Sequence, residues 1–271
     1  MEHVARGRTG LPLAVSHRVV YGPYMVRAVV LLWLLGCGSV DAASTPDAAR
    51  PDAAMSDAGP QISGLVAWYR MDALANRVVS DATGAHNGAC GAGACPLVNG
   101  DGRIDGAYVF DGIDDLVRVL SVAELETATG FTVTAWINRA SATADACIVN
   151  KGFGANGNNS WQFCVRADGA PAFFSAATTG TDALTSDALL ATARWYHVAL
   201  WWNGTTKAIY LDGARLVFKD SVAISFDASD ITIGGDIDAG ALVDPFNGMI
   251  DDVRIYNRAL SNAELTALQS P

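Results

Sequence analysis

Glutamate is almost missing from this sequence. Of its 28 acidic residues only Glu2, Glu124, Glu126 and Glu264 are glutamates, and the rest are aspartates. Asp is poor in helices and favoured in turns, so this balance describes a loop-rich β protein. Basic residues are scarce as well: 18 Lys and Arg leave a net charge of −10, and no basic stripe is present, which argues against a nucleic-acid partner. No apolar run approaches the ~20 residues that a membrane-spanning helix requires. Cysteine occurs five times without a Cys-x-x-Cys or Cys/His spacing of the kind zinc takes. There is no Gly-x-Ser-x-Gly elbow for a nucleophilic serine and no internal repeat.

What is present divides the chain at its N-terminal end. Met25 opens a short basic segment, residues 28–35 are apolar, and Gly36-Cys37 closes the run, the order of a secretory signal. Leu34-Leu35-Gly36-Cys37 resembles the lipobox of bacterial lipoproteins, so residues 1–37 read as a signal segment, translated from Met25, with Cys37 as the lipidation site. Ordinary signal cleavage after Val40-Asp41-Ala42, releasing a secreted protein, is the other reading. Residues 38–62 repeat Asp-Ala-Ala at Asp41, Asp47 and Asp52 between prolines. Such a stretch cannot offset the entropy of ordering and extends as a tether.

Residues 63–271 suit one all-β domain, because sandwiches of 200–250 residues are common. Period-two patterns place strands at 65–71, 107–110, 116–120, 131–138, 146–151 and 161–165, then at 196–202, 207–211, 214–219, 231–233 and 249–256. Asn203-Gly204 and Asp212-Gly213 mark hairpins, since type I′ turns want positive φ at both centres. Ser261 with Glu264, and Ser121 with Glu124, have the spacing of capping boxes and predict two short helices, one of them C-terminal. Setting Cys37 aside leaves four cysteines and three possible pairings. Cys147 and Cys164 flank a Gly/Asn-rich tip at 152–159; if that tip is a hairpin, they face each other within disulfide range. Cys90 and Cys95 bracket Gly-Ala-Gly-Ala, a loop flexible enough to close on itself.

Three blocks carry a family resemblance. They are Asp81-Ala-Thr83-Gly84-Ala-His86-Asn87-Gly88, Tyr108-Val-Phe110-Asp111-Gly112-Ile-Asp114-Asp115, and the double hairpin around Trp195–Trp202 followed by NGMIDDVRIYNRALSNAEL at 247–265. In this order they resemble the laminin-G-like, concanavalin-A-like jelly-roll family. The resemblance implies an antiparallel two-sheet jelly-roll sandwich with a short C-terminal helix, whose specificity resides in loops such as 152–159 and 236–245. It also implies a structural calcium between the Asp-Gly loop and the final strand, here Asp81 and Asp251, with Asp72 as a third ligand. Asp251 shares strand parity with Val253 and Ile255, so its carboxylate is expected on the covered face, where an unpaired charge is costly. A cation can join backbone N–H groups in satisfying it, or N–H groups can do so alone; a strand starting later would leave Asp251 in solvent. His197 lies in a core strand of the family and reads as a structural histidine.

Catalysis is not expected. Glycosidases need two carboxyls across a cleft, and the Glu-x-Asp-x-(x)-Glu strand of the β-glucanase relatives is missing. Trp201 lies opposite the core parity of its strand and Trp161 follows the Asn-rich tip. Both are candidates for stacking on a sugar, unless a loop covers them. The expected function is a non-catalytic, lipid-anchored recognition or adhesion module on a bacterial surface, monomeric, with a glycan or surface protein as partner. A passive envelope-structural or protein-docking lipoprotein and a polysaccharide hydrolase are the alternatives.

Overall fold

The computed structural model describes residues 62–126, 129–152, 160–177 and 180–270. Cys37, the tether and most of the 152–159 tip lie outside them. The described residues form eighteen strands and two short helices, and among them no helix is long and apolar enough to cross a membrane. The first sheet has the order β14 (Ala214–Asp220), β13 (Thr206–Leu211), β12 (Trp195–Trp202), β7 (Phe131–Arg139), β18 (Asn247–Tyr256), β5 (Gly106–Asp111), β4 (Leu97–Ile104), with β1 (Leu65–Tyr69) also paired to β18. The second runs β11 (Gly180–Thr185), β10 (Pro171–Ala177), β9 (Trp161–Val165), β8 (Ala146–Lys151), β15 (Ile231–Ile233), β6 (Val117–Val119), β3 (Gly88–Cys90), β2 (Val78–Val79). A separate hairpin pairs β16 (Asp236–Asp238) with β17 (Ala241–Val243). The expected antiparallel sandwich is present.

Period-two patterning explains the packing. Val133, Val198, Leu200, Ile209, Ile250 and Ile255 of the first sheet meet Val117, Phe163, Phe173, Ile231 and Ile233 of the second in one buried cluster. Phe131 stacks on Trp161 with ring centroids 5.2 Å apart. A second, smaller cluster lies on the outer side of the first sheet, where Leu260, Leu265 and Leu268 cover Ala199, Ala208, Tyr210 and Tyr256. The leucines flank or belong to α2 (Asn262–Ala267), and Ser261 and Glu264 form the reciprocal cap read from the sequence. The other short helix, α1 (Ala123–Glu126), lacks that box: the Ser121 hydroxyl donates to Glu126, and Glu124 lies 3.6 Å from His86 instead.

Turn chemistry follows the sequence at one of the two expected hairpins, since Asn203 does not take the positive φ of a type I′ turn. Asp212 and Gly213 have φ of 45° and 73°, the double positive value of a two-residue type I′ hairpin. After Asn203 the loop is one residue longer, and the Asn203 carboxamide oxygen accepts from the N–H groups of Thr205 and Thr206. Both disulfides form as paired above, Cys147 to Cys164 as direct cross-strand partners and Cys90 to Cys95 within its loop.

Two lysines break the apolar rule between the sheets. Lys207 is fully buried and donates to Ser175 Oγ at 3.0 Å, with Asp182 Oδ2 also at 3.0 Å. Burial pulls its pKa down to about 8, against the opposing pull of Asp182. Lys151, also fully buried, donates to the Ser229 carbonyl at 2.7 Å. Each ammonium has several oxygen acceptors, the condition under which a charge survives burial.

Candidate functional site

The outer face of the second sheet carries one unbroken cross-strand row: Phe174, Gln162, Asn150, Thr232, Arg118 and Ala89 are successive partners on β10, β9, β8, β15, β6 and β3. They point outward because their chain neighbours Phe173, Phe163, Ile231, Val117 and Val119 point into the core. The β16–β17 hairpin is fastened over this row. Asn150 Nδ2 and Thr232 Oγ1 both donate to the Gly235 carbonyl, at 2.9 and 2.8 Å, and Gln162 Nε2 donates to Asp236 Oδ2 at 2.6 Å. The hairpin turns at Ala239-Gly240, both at positive φ.

Beside the hairpin opens a cleft of about 570 Å³, bordered by Arg118, Gly152, Asp227, Asp230, Thr232 and Asp236 among others. Arg118 pairs with Asp230 at 2.6 Å. Asp227 accepts from Ser160 Oγ at 3.1 Å and from the Ser229 N–H and hydroxyl. Lys151 supports the loop from beneath through the Ser229 carbonyl. The cleft thus presents carboxylates, hydroxyls, carbonyls and one guanidinium in fixed positions, a set that exchanges hydrogen bonds with a hydroxyl-rich ligand. The sequence pointed to the 236–245 loop, and Asp236, Ile237 and Gly240 do line the cleft. It missed Arg118, Asp227, Asp230 and Thr232. The only available signal was the Asp-Ala-Ser-Asp turn at 227–230, which by itself reads as an ordinary loop.

Of the two tryptophans singled out for sugar stacking, Trp161 is enclosed and Trp201 is only partly exposed. Trp161 is completely buried in the core on Phe131, because its register on β9, opposite Lys151 and Ser175 and two residues from Phe163, turns the ring inward. Trp201 is on the outer face as expected, and the C-terminal segment covers part of it. Its Nε1 donates to the Leu260 carbonyl at 2.8 Å, and its ring packs edge-on against Tyr210.

The carboxylates assigned to a metal separate. Asp81 accepts from the N–H groups of Trp68, Thr83, Ala85 and His86 and from the Thr83 hydroxyl. Burial acts to raise its pKa, but these hydrogen bonds outweigh it and hold the carboxyl below its usual range. With both oxygens so engaged, Asp81 caps its turn without needing a cation. Asp251 is elsewhere, on the face opposite to the one that simple alternation predicts. A β-bulge between Asp251 and Arg254, with Asp252 at φ 48°, interrupts the alternation. Ile250 and Val253 face the core, so both Asp251 and Asp252 fall on the outer side, next to Trp136. There the β4–β5 turn covers Asp251, and the N–H groups of Arg103 and Ile104 donate to its Oδ2, both at 2.8 Å.

Asp252 accepts from Trp68 Nε1 at 2.6 Å and pairs with Arg254 at 3.0 Å; Arg70 and Arg254 both lie over the Trp68 ring, at 4.2 and 4.4 Å. Asp251 Oδ1 and Asp252 Oδ2 are buried with no hydrogen-bond partner in the protein. Both residues border a small cavity together with Asp72 and Asp105. The structure therefore brings Asp72 to Asp251 and leaves Asp81 apart. His197, two strands away, is buried against Trp136 with its Nε2 also unpartnered, so it is structural without being fully satisfied. Burial and the Arg254 charge bring its pKa down to about 4.

Residues 110–266 match the model of the concanavalin A-like lectin/glucanases superfamily, more than half of the chain. The chain belongs to that superfamily. Several solved structures share the concanavalin A-like fold. Domain 4 of AbnA, a GH43 extracellular arabinanase from Geobacillus stearothermophilus solved with arabinotriose, aligns at TM-score 0.60 and 21% identity over 76% of this chain and 98% of its own. The binding domain of Paraclostridial Mosquitocidal Protein 1 aligns at 0.59 and 17% over 76% of this chain, which spans 52% of that one. A Trypanosoma rangeli sialidase in complex with sialic acid aligns at 0.60 and 16%, over 77% of this chain and 33% of the sialidase. No curated protein matches the sequence.

In this concanavalin A-like domain Asp251 is the titratable group with most consequence. Burial raises its pKa to about 7 from 3.8; the Ile104 and Arg103 N–H groups oppose the rise, and Asp252 and Asp72 add to it. Between those two values the folded protein holds a proton that the unfolded chain has lost, so stability falls as pH rises. The contribution is fully present below 3.8, declines through that window and is gone above about 7. Melting curves in chelator across this range should show the decline. Asp251→Asn, which keeps an acceptor for both N–H groups, should flatten it; an equal slope in wild type and variant would contradict this account.

Proposed function

We propose that the domain is a non-catalytic recognition or adhesion module that binds carbohydrate in the cleft beside the β16–β17 hairpin. The observation that carries this reading is the cleft itself: about 570 Å³, walled by a buried aspartate fixed by Gln162 and a guanidinium fixed by Asp230. Pre-positioned polar groups of this kind orient a ligand without an ordering cost at the moment of binding. An arabinanase domain holding arabinotriose and a toxin binding domain on the same fold support it. Hydrolysis would need one carboxyl to donate a proton and another to attack or activate water. Here Asp227 is tied to serines, Asp230 to Arg118 and Asp236 to Gln162.

The test is a glycan and polysaccharide array on the purified protein, with reducing-sugar release read in parallel. Wild type should retain a glycan without cleaving it. Asp230→Ala, at a partly exposed side chain, should weaken retention by roughly tenfold or more, as expected for loss of a charged hydrogen-bonding pair, with the melting temperature unchanged. Retention of no glycan leaves a passive envelope-structural or protein-docking role; released sugar makes the domain a hydrolase.

Display at the cell surface follows from Cys37, whose lipidation would place the domain on the membrane at the end of the 38–62 tether. Two acyl chains hold a protein stably where one does so marginally. Wild-type protein should therefore stay with the membrane pellet after a salt wash and Cys37→Ser should not; a fully soluble wild type would refute anchoring. The two disulfides suit an exported protein.

Calcium belongs to the Asp251 cavity. Two buried carboxylate oxygens without a hydrogen-bond donor, Asp251 Oδ1 and Asp252 Oδ2, beside Asp72 fit a hard cation that takes oxygen ligands. When bound, the ion would neutralise the like charges there and tie β18 to the β4–β5 turn. Binding to the folded state alone stabilises by about 2.7 kcal/mol at a hundred times Kd. Chelator should lower the melting temperature of wild type but not of Asp251→Asn; a wild type indifferent to both chelator and added calcium eliminates the ion.

A further inference from the structure

A second cavity of about 440 Å³ adjoins the cleft, and Arg118 borders both. The two differ in chemistry. The first is walled by Asp227, Ser229, Asp230, Thr232 and Asp236. The second is walled by Ala89, Cys90, Ala94, Leu116 and Leu242, with Asp114 and Arg118 as its charged groups. The cross-strand row explains their placement. Thr232 faces the first cavity and Ala89 the second, and each is a direct partner of Arg118 in the sheet. Neighbouring strands lie about 4.8 Å apart, so Thr232 and Ala89 are about 10 Å from each other, roughly the end-to-end length of a disaccharide. The β16–β17 hairpin serves both cavities, giving Ile237 and Gly240 to the first and Leu242 to the second. The Cys90–Cys95 bond holds the loop that forms the far wall.

We infer that the two cavities are adjacent subsites for consecutive units of one glycan chain: a hydroxyl-rich unit in the polar cavity, and beside it a unit carrying a methyl or acetyl group, as in 6-deoxy or acetylated sugars, in the apolar one. This rests on the cleft being a carbohydrate site, and adds to it a minimum ligand length and a substituent preference. Continuity carries the assignment. A chain leaving the first cavity along the row passes Arg118, which Asp230 fixes at 2.6 Å, and enters a wall of aliphatic side chains. Hydroxyls would lose hydrogen bonds to water there without replacement, whereas a methyl or acetyl group gains from leaving water.

The experiment is calorimetric titration of the full chain with matched mono-, di- and trisaccharides of neutral pentoses and hexoses, and with 6-deoxy and acetylated counterparts. Affinity should rise by roughly tenfold from mono- to disaccharide and further when the second unit carries a methyl or acetyl group. Ala89→Tyr, on an exposed residue, fills the second cavity; it should abolish the rise and leave monosaccharide affinity at the wild-type value. Leu242→Ser should remove the substituent preference alone. Equal wild-type affinity for mono- and disaccharides, or an Ala89→Tyr variant that loses both equally, overturns the second subsite while the cleft remains a sugar site. Binding of no saccharide at any length overturns the carbohydrate reading and this inference together.

Discussion

β18 makes ladders with three other strands, β1, β5 and β7, and so joins the first strand of the domain to the last. Its ten residues place Ile250, Val253 and Ile255 in the core and still seat two aspartates side by side on the opposite face. A regular strand cannot do this, because successive side chains alternate; the bulge at Asp252 supplies the extra residue. The β4–β5 turn, the Trp68 stack of arginines and the buried Trp136–His197 contact all gather around the carboxylates so placed. The acidic spot is thus a product of one irregularity in the most heavily paired strand.

That irregularity also marks where sequence reasoning stopped. Period-two patterns found the long strands β7, β12, β13 and β18, since each has one face in the core and little glycine. They did not reveal β4, whose Leu-Val-Asn-Gly-Asp-Gly-Arg-Ile reads as a loop, nor β10, which starts with proline, nor the two- and three-residue strands β2 and β3. Asp251 was given the wrong face because parity counting assumes no bulge, and no residue type at 251–254 announces one. Trp161 looked exposed by its place beside a polar tip; the end of that tip is a matter of register, which the sequence does not state. The disulfides were legible because hairpin symmetry constrains Cys147 and Cys164 and a short glycine-rich loop lets Cys90 reach Cys95. The cleft was half legible, through the 236–245 loop. Its other walls come from strand positions such as Arg118 and Thr232 that become neighbours only when β6 and β15 pair.

The two disulfides lie on the sheet that carries the cleft. Cys147–Cys164 locks β8 to β9, beside the asparagine and glutamine that fasten the β16 end of the hairpin. Cys90–Cys95 closes the loop after β3. The first sheet has no covalent ties and relies on long ladders and on α2 folded over its outer face. Rigidity is therefore supplied twice, by covalent bonds where strands are short and by hydrogen-bonded length where they are long.

The burial of lysines has a consequence for handling the molecule. The whole sequence has three, Lys151, Lys207 and Lys219, and the first two have no solvent-accessible surface. Lys219, its side chain 41% exposed, sits on β14 at the outer edge of the first sheet. Amine-directed chemistry on the folded domain thus has a single side-chain handle, on the sheet that does not bear the cleft. Coupling through it would present every molecule to a ligand in the same orientation, and labelling of the other two amines would report the sheets coming apart.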